Sequence, residues 1–171
     1  YAHEAEISQN ISESWPYAKN CLVHGYLSPR NILLKSNGEE LIAKIGGFIL
    51  AKSYKPLVMF RHLVNNRIFY SPIFFCTRQQ IINRYDLKPA VDVWQAAALY
   101  YYMLTGKYVR DFDNNCDVLV NVLTQRTVPI RQRLSDIPEK LAQVIDYALK
   151  ETPQSGVKSA LELKKMIESE L

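Results

Sequence analysis

The sequence predicts a mainly α domain of the α+β class, a helical core carrying one small β-hairpin. Three observations predict it. Residues 91–104, VDVWQAAALYYYML, are apolar on nearly all sides, the pattern of a helix in the centre of a domain. Residues 138–150 put Leu141, Val144, Ile145, Ala148 and Leu149 on one face at helical spacing. Asn37-Gly38, set between two short apolar runs, is a strong hairpin-turn signal.

In chain order, residues 31–35 (NILLK) and 41–45 (LIAKI) read as the two strands that this turn joins. Gly106 can end the central helix. Residues 117–125 suggest a short helix with Val118, Leu119, Val122 and Leu123 inward. Ser159 followed by Glu162 is a capping-box signature for a last helix, whose apolar stripe is Ala160, Leu163, Ile167 and Leu171. No internal repeat, low-complexity tract or interdomain linker interrupts the chain. Its 171 residues are about one domain long.

Composition excludes several classes. The chain is 48% hydrophobic and 22% charged, which suits a compact domain with a core built without metals or disulfides. A net charge of +4 is mild and lacks the dense Lys/Arg clustering of nucleic-acid binders. Cys21, Cys76 and Cys116 are odd in number and widely spaced, so neither a zinc site nor a disulfide framework is indicated, and a reducing cytoplasm is expected. No signal peptide is seen at the start. The longest apolar run, Ala96 to Leu104, is too short to span a bilayer. His3, His24 and His62 show no ligand spacing. Asp111-Phe112-Asp113-Asn114-Asn115 starts like a calcium loop, but Cys116 stands where its glycine belongs and Val122 where its glutamate belongs. An acidic loop leading into a helix is the better reading. No cofactor is expected.

The most informative stretch is residues 22–52, LVHGYLSPRNILLKSNGEELIAKIGGFILAK. His24-Gly25-Tyr26-Leu27-Ser28-Pro29-Arg30-Asn31 has the length and frame of H-R-D-L-x-x-x-N, and Gly47-Phe48-Ile49 follows the hairpin where D-F-G would stand. This stretch resembles the catalytic centre of a protein kinase with its chemistry removed. Phosphoryl transfer is mostly positioning and charge stabilisation. The aspartate that handles the hydroxyl proton is replaced by Tyr26, a phenol with a pKa of roughly 10 and a poor base at pH ~7. General-base help is typically worth about 10²–10⁴ in rate. The aspartate that holds Mg²⁺ is replaced by Gly47, which offers no oxygen ligand. The basic residue of the loop is replaced by Ser28 and its arginine by Gly25. Asn31 alone keeps a metal-facing identity. The resemblance implies that His24 supports the loop backbone and that Asp92 accepts hydrogen bonds from the loop amides, a structural role.

The resemblance runs along nearly the whole chain. Tyr1-Ala2-His3 looks like the end of the helix that precedes the catalytic loop. Asp92-Val93-Trp94 matches the D-x-W start of the central helix, and Met103-Leu104-Thr105-Gly106-Lys107 matches its end. Val128-Pro129-Ile130-Arg131 and the run from Ile137 to Asp146 look like bacterial serine/threonine kinases. The implied unit is a kinase-like C-lobe over 1–171, a pseudokinase. The A-P-E motif that closes a kinase activation segment reads Cys76-Thr77-Arg78. Its glutamate and the arginine it pairs with, at Gly156, are absent together. Arg78-Gln79-Gln80 also resembles bacterial kinases that keep their aspartates, so this loss says nothing of activity.

No glycine-rich loop or strand lysine of an N-lobe is found, so the N-lobe is absent from this chain. The chain is then a fragment of a larger protein or an autonomous C-lobe. Between Phe48 and Arg78 the sequence is individual. Met59, Phe60, Arg61, Phe69 and Tyr70 either pack onto the lobe and freeze a dead activation segment, or form a patch for a protein partner. The expectation is a non-catalytic protein-interaction or regulatory module. Its partners would be another protein or other domains of the same polypeptide, with self-association and no nucleic acid or membrane. The rivals are a divergent serine/threonine kinase using Asn31, and an architectural lobe of a multidomain protein. Residues 4–20 carry few anchors, so the apolar surface of residues 96–104 is expected to be partly uncovered.

Overall fold

The computed structural model describes residues 22–36, 38, 41–48, 52–53, 73–83, 87–113 and 115–170. Tyr1-Ala2-His3, the 4–20 segment, Leu171 and the patch residues Met59, Phe60, Arg61, Phe69 and Tyr70 lie outside the described residues.

Strand β1 (Leu22–Val23) pairs antiparallel with β4 (Lys52–Ser53), and β2 (Ile32–Ser36) pairs antiparallel with β3 (Leu41–Ile45). Five helices follow among the described residues: α1 (Arg78–Ile82), α2 (Ala90–Thr105), α3 (Val118–Thr124), α4 (Glu139–Ala148) and α5 (Ala160–Glu168). The predicted fold class is the one found.

The hairpin register is Ile32 opposite Ile45 and Leu34 opposite Ala43. The first strand begins one residue later than the sequence suggests. Ser28-Pro29 starts a short 3₁₀ turn over Pro29–Asn31, and that turn takes Asn31 out of the strand. α2 is the core helix. Val91, Trp94, Ala97, Ala98 and Tyr101 are buried, and α4 packs on it with Leu141, Val144, Ile145, Ala148 and Leu149 all buried as expected. The surface of residues 96–104 is mixed: Ala96, Leu99, Tyr100, Tyr102 and Leu104 are half-buried, and Met103 is exposed.

Two facing assignments are corrected. In α3 the buried residues are Asn121 and Val122, while Leu123 is exposed. Val122 is buried and Val118 and Leu119 half-buried as expected, and Asn121 joins them because its carboxamide closes the preceding loop. It donates to the Asp113 carbonyl at 2.9 Å and accepts from the Asp113 amide at 3.1 Å. In α5, Leu163 is buried and Ile167 half-buried, but Ala160 faces solvent in the first turn. Ser159 caps that helix by accepting from the Glu162 amide at 3.1 Å, and Glu162 reaches back to the Lys158 amide at 3.0 Å. The sequence also leaves α1 unannounced. Its start carries a complete capping box, Thr77 with Gln80.

Candidate functional site: a kinase-like loop without its carboxylates

The loop from His24 to Asn31 is held from below by α2. Asp92, in the first turn of that helix, accepts from the His24 amide at 2.8 Å and the Gly25 amide at 2.7 Å. Burial pushes its carboxyl above its ordinary value, against the pull of those two amides. Gln95, three residues on and on the same face, is fully buried. It accepts from the Leu27 amide and donates to the Gly25 and Phe75 carbonyls, each at 3.2 Å. Gln80 of α1 also donates to the Gly25 carbonyl. Val23, Leu87 and Val91 form a small apolar cluster beside the loop.

His24 ties the loop to the end of β3. Its Nδ1 accepts from the Tyr26 amide at 3.2 Å, which leaves Nε2 to donate to the Gly46 carbonyl at 2.8 Å. The Phe48 ring meets the imidazole edge-on, with centroids 4.9 Å apart. His24, Phe48 and Asp92 thus serve as scaffold. Tyr26 is half-buried beside them.

Asn31 and Gly47 are also brought together. The Asn31 carboxamide donates to the Tyr26 carbonyl at 2.7 Å. Gly47 sits at φ +77°, and a Cβ built there would collide with the Asn31 carboxamide. Ser28 is fully buried, and its hydroxyl has no hydrogen-bond partner among the described residues. Among the described residues no three His, Cys, Asp or Glu side chains converge as a metal site would require.

At the start of α1 stands an ion-pair node that the sequence did not announce. Glu151 accepts from Arg110 at 3.2 Å and from the Thr127 amide at 2.8 Å, and Arg78 lies 3.3 Å from it. Arg110 is fully buried, donates to the Cys76 carbonyl at 3.0 Å and lies 5.0 Å over the Trp94 ring. Burial pushes its guanidinium down from its ordinary value, with Glu151 opposing. The glutamate–arginine pair expected to be absent has no residues to form it, with Arg78 and Gly156 at its two positions, and a different pair stands nearby. Arg78, which stands in the glutamate position of A-P-E, is paired with an acid. No arginine fits at Gly156, where a Cβ would lie 2.7 Å from the Tyr147 carbonyl oxygen.

The loop-and-hairpin frame and its helical support are consistent with a kinase-like C-lobe, and sequence comparison points the same way. The chain is 31% identical over 101 residues to the serine/threonine-protein kinase ATG1a of Arabidopsis thaliana, covering 59% of this chain and 15% of that protein. It is 22% identical over 134 residues to ATG1b of the same plant, covering 78% of this chain and 18% of that one. It is 28% identical over 105 residues to the death-associated protein kinase dapk-1 of Caenorhabditis elegans, covering 61% of this chain and 7% of that protein. The domain is protein-kinase-like. No protein-family model matches the chain. No helix among the described residues is long and apolar enough to cross a membrane.

Proposed function

We propose that this chain is a catalytically inactive kinase-like C-lobe, a pseudokinase that works in the cytoplasm as a protein-interaction or regulatory module. One observation carries the reading. The position that would hold the metal carboxylate is Gly47, and the space above it is filled by Asn31, the one residue left with a metal-facing identity. Tyr26 adds no carboxylate on the other side of the loop. Transfer of a phosphoryl group needs charge stabilisation that these side chains do not offer.

A partner-binding role draws support from the hairpin. Leu34 and Ile45, on one face of the hairpin, are more than half exposed, at 62% and 54%. Exposed apolar clusters on folded proteins commonly mark association sites. The patch at Met59, Phe60, Arg61, Phe69 and Tyr70 is a second contributor on sequence grounds. A bacterial source rests on the resemblance of residues 128–131 and 137–146 alone, since the relatives above are eukaryotic.

The competing reading is a divergent serine/threonine kinase whose N-lobe lies outside this chain. The names of the relatives and the survival of Asn31 and Asp92 favour it. Radiolabelled ATP with Mg²⁺ or Mn²⁺, with and without a generic protein acceptor, separates the two. The proposal expects no phosphate incorporation. Incorporation that disappears in Asn31→Ala would establish the kinase reading instead.

A further inference from the structure

We infer that Asn31 and Gly47 form a mutually dependent closure, in which the Asn31 carboxamide is a strut that shuts the loop and can do so only because position 47 has no side chain. This rests on the non-catalytic reading of the loop and names the device that enforces it. A Cβ at position 47 would lie 2.5 Å from the Asn31 Cγ and 2.9 Å from its Nδ2, with Oδ1 nearer still. All three end atoms of the side chain therefore occupy that space, so the clash is with the body of the carboxamide.

The side chain has little freedom to yield. Its backbone is tied at both groups: the Asn31 amide donates to the Ser28 carbonyl at 2.9 Å, and its carbonyl accepts from the Gly46 amide at 2.8 Å. The residue closes a 3₁₀ turn that begins at Pro29, whose ring fixes the backbone entering it. Relief must come from rotation of the carboxamide, which breaks its 2.7 Å bond to the Tyr26 carbonyl. Position 47 also has a left-handed backbone, φ +77°, which penalises any other residue independently of the clash. The two contributions are separable, because only the steric one involves Asn31. Placing an aspartate at position 47 alone then strains the loop against the Asn31 carboxamide. Relieving that strain requires a change at Asn31 as well.

A double-mutant cycle tests the coupling. Gly47→Ala, Asn31→Ala and the double variant are compared by thermal melting of the full chain. The closure predicts that Gly47→Ala lowers the midpoint by several degrees. It predicts that the double variant melts above Gly47→Ala, as Asn31→Ala removes the clash. Additive or worse-than-additive midpoints overturn it. If Gly47→Ala does not fold, the wild-type protein decides. A nuclear Overhauser effect between the Asn31 side-chain amide protons and the Gly47 α-protons is expected, and its absence overturns the closure. Phosphotransfer by the chain would sink the non-catalytic reading while leaving this coupling measurable. Additive midpoints would sink the closure and leave that reading standing.

Discussion

Asp92 accepts two backbone amides with one half-buried carboxylate, and hydrogen bonds to charged groups are among the stronger ones. Asp92→Ala is expected to cost about 2–4 kcal/mol in urea unfolding. Ser28→Ala should be neutral or slightly stabilising, because the hydroxyl is buried with no partner among the described residues. Asp146 gives a pH signature. Burial raises its carboxyl above the ordinary value of 3.8, opposed by its bond from the Ile130 amide. A raised carboxyl contributes stability that is complete below the unfolded value and is lost as pH rises through the folded one. Asp146→Asn keeps an acceptor oxygen and removes that loss. The variant should match the wild type near pH ~3 and exceed it near pH ~7 in thermal melts. Among single residues, Asp92 was legible because it starts the D-x-W run. Gln95 and Gln80 were not, although a lone glutamine in an otherwise apolar helix, three residues after Asp92, was an available signal. That position 47 offers no carboxylate is readable from the sequence, but the place of the Asn31 carboxamide beside it is a packing outcome that sequence does not encode locally.

Elements with strong periodicity are legible in the sequence, and those set by side-chain bonds are not. α4 buries the face its spacing announces, and α2, apolar on nearly all sides, supplies the centre of the core. α3 is seven residues long, too short for periodicity to outweigh the bonds that Asn121 makes to the loop before it. The hairpin was legible except at Asn31, where a proline-started turn displaced the strand. The Arg78–Glu151–Arg110 node was invisible because its members lie far apart in sequence and reverse the sign of the expected pair. Glu151→Gln leaves a buried guanidinium without its counter-charge. Breaking a buried pair costs about 3–5 kcal/mol, so with Glu151 partly exposed the expected loss is about 1–3 kcal/mol by urea unfolding. The exposed Arg131–Glu139 pair is the contrast: Glu139→Gln should change stability by less than about 0.5 kcal/mol.

At the scale of the whole molecule, the helices share one continuous core, while among the described residues little covers the hairpin. Ile32, Leu34, Ala43 and Ile45 share one face of that hairpin by register, and Leu34 and Ile45 stand more than half exposed. A two-stranded hairpin is marginal alone in water and gains from cover. The chain is therefore expected to associate as concentration rises. Light scattering should report a mass that grows over the micromolar range, and Leu34→Glu with Ile45→Glu should return it to the monomer without loss of helical signal. A mass that stays monomeric in the wild type would refute this. The chemistry at the same end is the central matter, because a kinase-like frame stands there and is proposed to lack a metal function.

The most direct test is a Mn²⁺ titration followed by amide line widths across the whole chain. The account predicts that the resonances of Tyr26, Asn31 and Gly47 keep their widths up to millimolar Mn²⁺, apart from weak, non-saturating effects shared with exposed acidic residues. Saturable broadening centred on Asn31 and Gly47, and abolished by Asn31→Ala, would contradict it.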